Sequence, residues 1–335
     1  MASNSAWPEW LAEIWWREAW LTMEAAEPAT LPPYLGSTLR GALGHLLRTA
    51  LCDGPGCGHE CQRPDACRYY SLFEQNRGGA KPFILLAPPP PGLEEIAAGG
   101  PINLPYRTGA PRNGETVPAL RCDAGWKFDP GGTMQFGIRL VGMVSNVLPA
   151  VVEAIARCGL AVGGALFRLA TARDDAGHLL YDRRLPAVPV QAPAPRRLTP
   201  GHETARRVRI VFLCPAVFKL EEAPTFAPED FAARFFEHSL GRAVQMHRAC
   251  SAERLPWVEA PPVRAELAGH RLFHYELPRH SFRQDKWLDF DGVVGYLDLA
   301  GEIGPALPWA RAAEVLHFGQ KAAFGLGKVR VLILE

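Results

Sequence analysis

The sequence predicts an α+β protein of two tandem ferredoxin-like (RRM-like, βαββαβ) domains, with a Cys-rich loop inserted after the first helix. Three observations carry this. A Pro- and Arg-rich stretch, Pro186 to His202, lacks apolar periodicity and divides the 335 residues into two similar parts. Each part then reads strand, helix, strand, strand, helix, strand. Gly (32) and Pro (31) are spread along the chain, which favours a loop-rich mixed fold over a helical bundle. The expected boundaries are 1–185 for the first domain, 186–205 for the linker and 206–335 for the second domain.

In the first part, Trp16 to Glu24 reads as a strand, Ser37 to Leu51 as a helix, and Phe83 to Ala87 as a short strand. Met134 to Val141 is a strand, Asn146 to Cys158 a helix, and Ala165 to Ala172 a strand. An Asp174-Asp175-Ala176-Gly177 turn then leads into His178 to Tyr181 as a hairpin. In the second part, Arg207 to Leu213 is a strand and Pro228 to Arg248 is largely helix. Val263 to Leu277 and Val293 to Leu299 are strands, Pro308 to Phe318 a helix with Pro near its start, and Lys328 to Leu334 a strand. Such a fold hosts many activities, so the sites must decide function.

The first helix carries chemistry on one face. Ser37 is a candidate N-cap. Leu39, Ala42, Leu43, Leu46, Leu47 and Ala50 form the core arc, and Arg40, Gly41, Gly44, His45 and Arg48 share the other. Two glycines inside a helix cost about 1 kcal/mol each relative to Ala. On a polar face they either let something bulky approach between two Arg and a His, or serve domain packing beside a solvated His.

The chain ends with LHFGQKAAFGLGKVRVLILE. Gly319, Gly325 and Gly327 with Lys321 and Lys328 read either as a loop around a polyanion or as a tight helix-to-strand connection. It is not a Walker A loop, because Lys328 is followed by Val329 and a strand. Upstream, His270 to Tyr275 and Pro278 to Lys286 interleave basic and aromatic residues, a composition suited to phosphates and unstacked bases.

Lys plus Arg (36) nearly cancels Asp plus Glu (35), which excludes a uniformly basic coat. Locally, Arg183 to Arg209 holds seven Arg against one Glu, a +6 stripe that includes Arg196 and Arg197. It is either a basic seam or a solvated linker. No run reaches about 18 apolar residues, so no membrane span is expected. Met1 to Trp20 lacks a basic start followed by an uninterrupted apolar run, and the expected location is cytoplasmic. Four of the eight cysteines, Cys52, Cys57, Cys61 and Cys67, fall within one short loop and favour a structural zinc; no metal and an iron–sulfur cluster are the alternatives. Cys158, Cys214 and Cys250 lie in apolar segments and are expected as buried thiols.

Several segments together resemble a known family. They are GSTLRGALGHLLRTALC, RYYSLFE, RHSFRQDKW, FDGVVGYLDLAGEI and EVLHFGQKAAFGLGKVRV, in order across both domains. The family is the CRISPR-associated endoribonuclease that processes precursor CRISPR RNA, the repeat-cleaving branch of the RAMP superfamily. Ser281, Arg283 and Gln284 match its Ser-x-Arg-Gln element, and Phe324 to Lys328 match its terminal Gly-rich loop. Phe-Gly-Gln-Lys-Ala-Ala departs from the usual Val-Gly-Lys-Gly-Thr at Gln320 and Lys321. The resemblance implies a metal-independent cleavage of CRISPR repeat RNA by 2′-hydroxyl attack, with a 2′,3′-cyclic phosphate and a 5′-hydroxyl as product ends and no catalytic cofactor. His45, Arg40 and Arg48 would then be catalytic, with Tyr34 orienting the 2′-hydroxyl. Arg279, His280, Ser281, Arg283, Gln284, Lys286, Gln320, Lys321, Gly325, Gly327 and Lys328, with Arg196 and Arg197, would bind RNA. Other Cas proteins of an effector complex are implied partners, while membranes and DNA sequence reading are not. A non-cleaving RAMP subunit that holds crRNA is the alternative.

Overall fold

The computed structural model describes residues 8–52, 61, 63, 66–74, 80–111, 116–186, 189–199, 205–217, 227–251, 253, 255, 258, 264–281 and 286–335, with backbone alone at 230, 233, 278–281 and 286–289. An eleven-residue strand, β1 (Trp15–Ala25), organises the first domain. Ala19, Leu21, Met23 and Ala25 point to one face and Trp16, Glu18 and Trp20 to the other, so both faces need cover. The chain continues through α1 (Gly36–Leu51), β2 (Phe83–Leu86), β3 (Thr133–Val141), α2 (Leu148–Cys158) and β4 (Ala165–Arg173). These strands pair antiparallel in the order β4-β1-β3-β2.

The second domain repeats the scheme with β5 (Arg207–Ala216), α3 (Pro228–Cys250), β6 (Arg264–Tyr275), β7 (Gly292–Glu302), α4 (Leu307–Leu316) and β8 (Val329–Ile333). Its order is β8-β5-β7-β6, again antiparallel. Both sheets therefore have the ferredoxin-like arrangement that the order of elements predicts. The expected helix from Asn146 starts later, at Leu148, because Gly142–Val147 forms a 3-10 turn and Pro149 opens the helix.

Three features hold the domains together. The inner face of the first sheet packs under α1 and α2, whereas its outer face, with Trp16, Ile84, Leu86 and Val141, shares one core with Phe212, Phe231, Phe235 and Phe318 of the second domain. On that outer face Arg139 pairs with buried Glu18 at 2.6 Å and donates to the carbonyl of Val315. Arg242 from α3 donates to Leu316, so two guanidinium groups meet the C-terminal end of α4, where cations are favoured.

The third feature was not legible in the sequence. Between β2 and β3 the chain leaves the first sheet, forms a short helix Leu93–Ala97, and then a hairpin of Tyr106–Gly109 and Ala119–Cys122. Ala119–Cys122 pairs parallel with the end of β6, so the hairpin extends the second sheet to six strands. The helix lies on the outer face of that sheet, against Val211, Leu213 and Val294.

Those contacts leave the apolar part of neither sheet open. An RRM stacks bases on the open face of its sheet. Here the first sheet is covered by the second domain, and the apolar part of the second sheet is covered by the Leu93–Ala97 helix. Phe273 and Tyr275, expected as stacking residues, are 5% and 1% exposed. His274 contacts Asp291 at 3.1 Å, and Arg271 donates to the carbonyl of Gly100. From Arg271 to Tyr275 the stretch is core and clasp, which corrects its reading as a nucleic-acid surface there, while His270 is exposed.

The described part of the linker, 189–199, is extended, as expected, and it is also fixed to the first domain. Arg196–Arg197 pairs with Trp15 and Trp16 of β1. The basic stripe is partly neutralised: Arg196 pairs with Asp175, Arg183 with Glu24, and Arg209 with Asp298. The +6 count misses these acids because they lie elsewhere in the chain. Among the described residues no helix is long and apolar enough to cross a membrane.

Candidate functional site

Helix α1 forms for the reason its sequence predicts. Leu39, Leu43, Leu47 and Leu51 recur every four residues and are buried at 4% exposure or less. Each contributes about 1.5–3 kcal/mol as an upper estimate. The opposite face carries Gly41, His45, Arg48 and Thr49, all exposed. His45 and Arg48 are three positions apart and so are neighbours on the helix surface.

The other members of the expected catalytic set sit differently. Arg40 is half-buried, and its guanidinium lies 3.7 Å from the centroid of the Phe73 ring, with Phe83 and Phe324 also within cation–π range. A Cβ on Gly44 would come within 3.1 Å of that guanidinium. Gly44 therefore makes room for Arg40 to fold back along the helix, and its freedom serves packing. Gly41 has nothing within 4 Å of a Cβ position and is the glycine that leaves the surface open.

Tyr34 is 2% exposed and its hydroxyl donates to the carbonyl of Phe324 at 2.6 Å. Burial holds the phenol well above its ordinary value, so it stays protonated and able to donate. The bond ties the entry of α1 to the Gly-rich turn of the second domain. That engagement corrects the expectation of a free hydroxyl presented to a ribose.

The Gly-rich loop is a seam. Gly325 and Gly327 are buried, with φ of +80° and +71°. The Gly325 amide donates to Ala322 and the Gly327 amide to Pro215, so neither points toward a ligand. A Cβ on Gly325 would meet Ala87, Leu85 and the Tyr34 hydroxyl, and a Cβ on Gly36 would meet the Phe324 carbonyl. The reading of Gly325 and Gly327 as a phosphate cradle is corrected: only glycine admits such close approach of two backbones. Lys321 lies 4.2 Å from the centroid of the Phe290 ring, Lys328 is 3.7 Å from Glu94, and Gln320 is exposed.

Arg279, His280, Ser281 and Lys286 lie in a two-stranded hairpin, Pro278–Ser281 with Lys286–Asp289, which leaves the second sheet between β6 and β7. Arg283 and Gln284 lie outside the described residues. Among the cysteines, Cys67 is buried and its sulfur accepts from the Tyr70 amide, capping the short helix Arg68–Phe73. Cys52 and Cys61 are half-buried, and Cys57 lies outside the described residues. Among the described residues no group of three or more His, Cys, Asp or Glu could hold a metal. Cys214 is buried as expected, which pushes its thiol up to about 12, whereas Cys158, the last residue of α2, is exposed.

One feature of the site had no sequence signal. A groove of about 780 Å³ runs beside the start of α1. One wall is Ser37, Thr38 and Gly41; the other is Arg121 of the crossing hairpin with Glu276; Tyr275, Leu277 and Phe290 line it as well. Arg121 reaches this place only because its hairpin joins the other domain's sheet, which local periodicity cannot reveal.

The chain is thus a tandem ferredoxin-like protein, its domains clasped through a terminal Gly-rich turn, with an exposed His and Arg on the first helix. Residues 15–188, more than half of the chain, match the family model AF_1859_N, N-terminal domain, and residues 210–329 match that of CRISPR-associated endoribonuclease Cas6. The chain belongs to the first family through its N-terminal domain and to the Cas6 group through its C-terminal domain. A Cas6 product complex has the same fold at 16% identity and a TM-score of 0.51, covering 95% of this chain and 99% of that one. Thermus thermophilus Cas6 aligns at 16% identity and a TM-score of 0.50 with the same coverage. No curated protein matches in sequence.

Proposed function

We propose that this protein cleaves precursor CRISPR RNA within its repeats, without a catalytic metal, and that His45 is the proton-transfer group. The observation that carries the reading is the exposure of His45 beside Arg48 on α1, next to a groove, in a chain of the Cas6 group. Imidazole gains and loses a proton near neutrality and can serve a 2′-hydroxyl or a 5′ leaving oxygen. Arg48 supplies positive charge for the equatorial oxygens of the phosphorane. Arg40 and Tyr34 act through the helix, holding it against the second domain.

The ribose 2′-hydroxyl attacks the adjacent phosphorus, its proton leaves, and the 5′ oxygen departs protonated. The products carry a 2′,3′-cyclic phosphate and a 5′-hydroxyl. The hairpin bearing Arg279, His280, Ser281 and Lys286, together with Arg283, Gln284, exposed Gln320 and the basic linker, would hold the RNA; that a solved Cas6 is a product complex supports this role. Incubation with end-labelled repeat RNA in EDTA should give full cleavage and a cyclic-phosphate end. Dependence on Mg²⁺ would overturn the mechanism, and tight binding without cleavage would identify a non-cleaving crRNA-holding subunit.

The Cys52, Cys57, Cys61 and Cys67 loop is proposed to bind one structural zinc, which pins a Gly/Pro-rich segment unable to build its own core. Elemental analysis should find one zinc per chain; a metal-free or iron-bearing protein removes this proposal.

A further inference from the structure

The groove beside α1 holds none of the residues to which the proposed chemistry assigns proton transfer. We infer that it takes one unpaired nucleotide of the bound RNA, with the base against the apolar floor and the phosphate at the mouth. The inference rests on the proposed RNA substrate and names how one part of it is held.

Size comes first. About 780 Å³ lies within the range, about 300–1,000 Å³, of pockets that enclose a single small molecule. The lining includes Pro32, Pro33 and Leu277, apolar groups with accessible surface for the face of a base. A base inside a duplex has both faces covered by its neighbours, so only an unpaired one can lie here. Gly41 keeps the helix wall flat, with nothing within 4 Å of a Cβ position.

Charge selects the orientation. Helix α1 opens on the groove with no capping side chain and no acidic residue in its first turn, and its N-terminal end favours an anion. Across the mouth stands Arg121, 66% exposed, its Nε 3.2 Å from Asp123, a surface pair that a phosphate would have to compete with. The pairing of Tyr275 with Leu120 places Glu276 next to Arg121 on the same face of the sheet. A carboxylate there opposes a free phosphate ion but accepts from base N–H groups. The combination fits a nucleotide better than either of its halves.

The test uses the full chain and a repeat RNA in which abasic riboses replace the nucleotides one at a time. At one position, loss of the base should weaken wild-type binding about five- to tenfold, the scale of one stacking contact. In Gly41→Trp, where the indole fills the groove, the same abasic change should make no difference. Arg121→Glu, a change on the surface, should weaken binding of intact RNA about tenfold with its thermal midpoint unchanged, so the test does not depend on the Trp variant folding. An abasic penalty at no position, or one that persists in Gly41→Trp, overturns the inference. If cleavage of intact repeat RNA by the wild type is normal in that case, the proposed function stands; if the wild type neither binds nor cleaves it, both fall.

Discussion

His45→Ala should lower cleavage of repeat RNA at least about a hundredfold while leaving RNA affinity near that of the wild type. Proton transfer by a positioned side chain contributes about 10² to 10⁴ in rate, and this loss would sit in the chemical step. His45 is exposed on a face whose neighbours are Gly41, Arg48 and Thr49, so removing its ring leaves no cavity and should not move the thermal midpoint. Single-turnover cleavage and filter binding separate the two effects. Wild-type rates in this variant would sink the assignment. A parallel loss of affinity would instead make His45 an RNA contact.

The largest effect on stability is expected at Gly327. Its φ is +71°, its amide donates to Pro215, and its carbonyl accepts from Phe318 at 2.7 Å. A Cβ would collide with the Phe318 carbonyl, so Gly327→Ala must break this exchange between the end of α4 and the start of β8. The cost should be at least about 3 kcal/mol, a lowering of the thermal midpoint by roughly 4 °C or more. Gly164→Ala is the comparison: φ is +89° there, but nothing lies within 4 Å, and only the backbone strain of about 1 kcal/mol is expected. Equal midpoints for the two variants would refute the close-approach argument. Because the same turn meets Tyr34 through Phe324, Gly327→Ala should also slow cleavage.

Local pattern revealed the elements well because period and punctuation are local properties. The Leu39, Leu43, Leu47, Leu51 stripe, the alternation in β1, and Pro149 at the start of α2 each report on a few neighbouring residues. The site was legible only in part. His45 and Arg48 stand where helical periodicity puts them. Arg40 shares their sequence face, yet it folds over Phe73, which lies 33 positions away in the chain. Gly325 and Gly327 showed a need for unusual backbone, and the two readings of that need, a ligand or another chain segment, differ only in what lies opposite them. The described structure puts Phe318, Pro215 and Tyr34 there. Arg121 and Glu276 carried no signal, since their neighbourhood depends on a hairpin from one domain completing the sheet of the other.

By itself, then, the sequence determined two βαββαβ units, an extended connection between them and a helix bearing an exposed histidine, because hydrophobic period and turn residues act over one or two turns of chain. Tertiary structure alone decided that both sheet faces are covered, that the glycine loop and Tyr34 clasp one domain to the other, and that a groove opens beside α1. These are pairings between residues far apart in the chain, and what a glycine, an arginine or a tyrosine does is set by the partner that burial brings within reach.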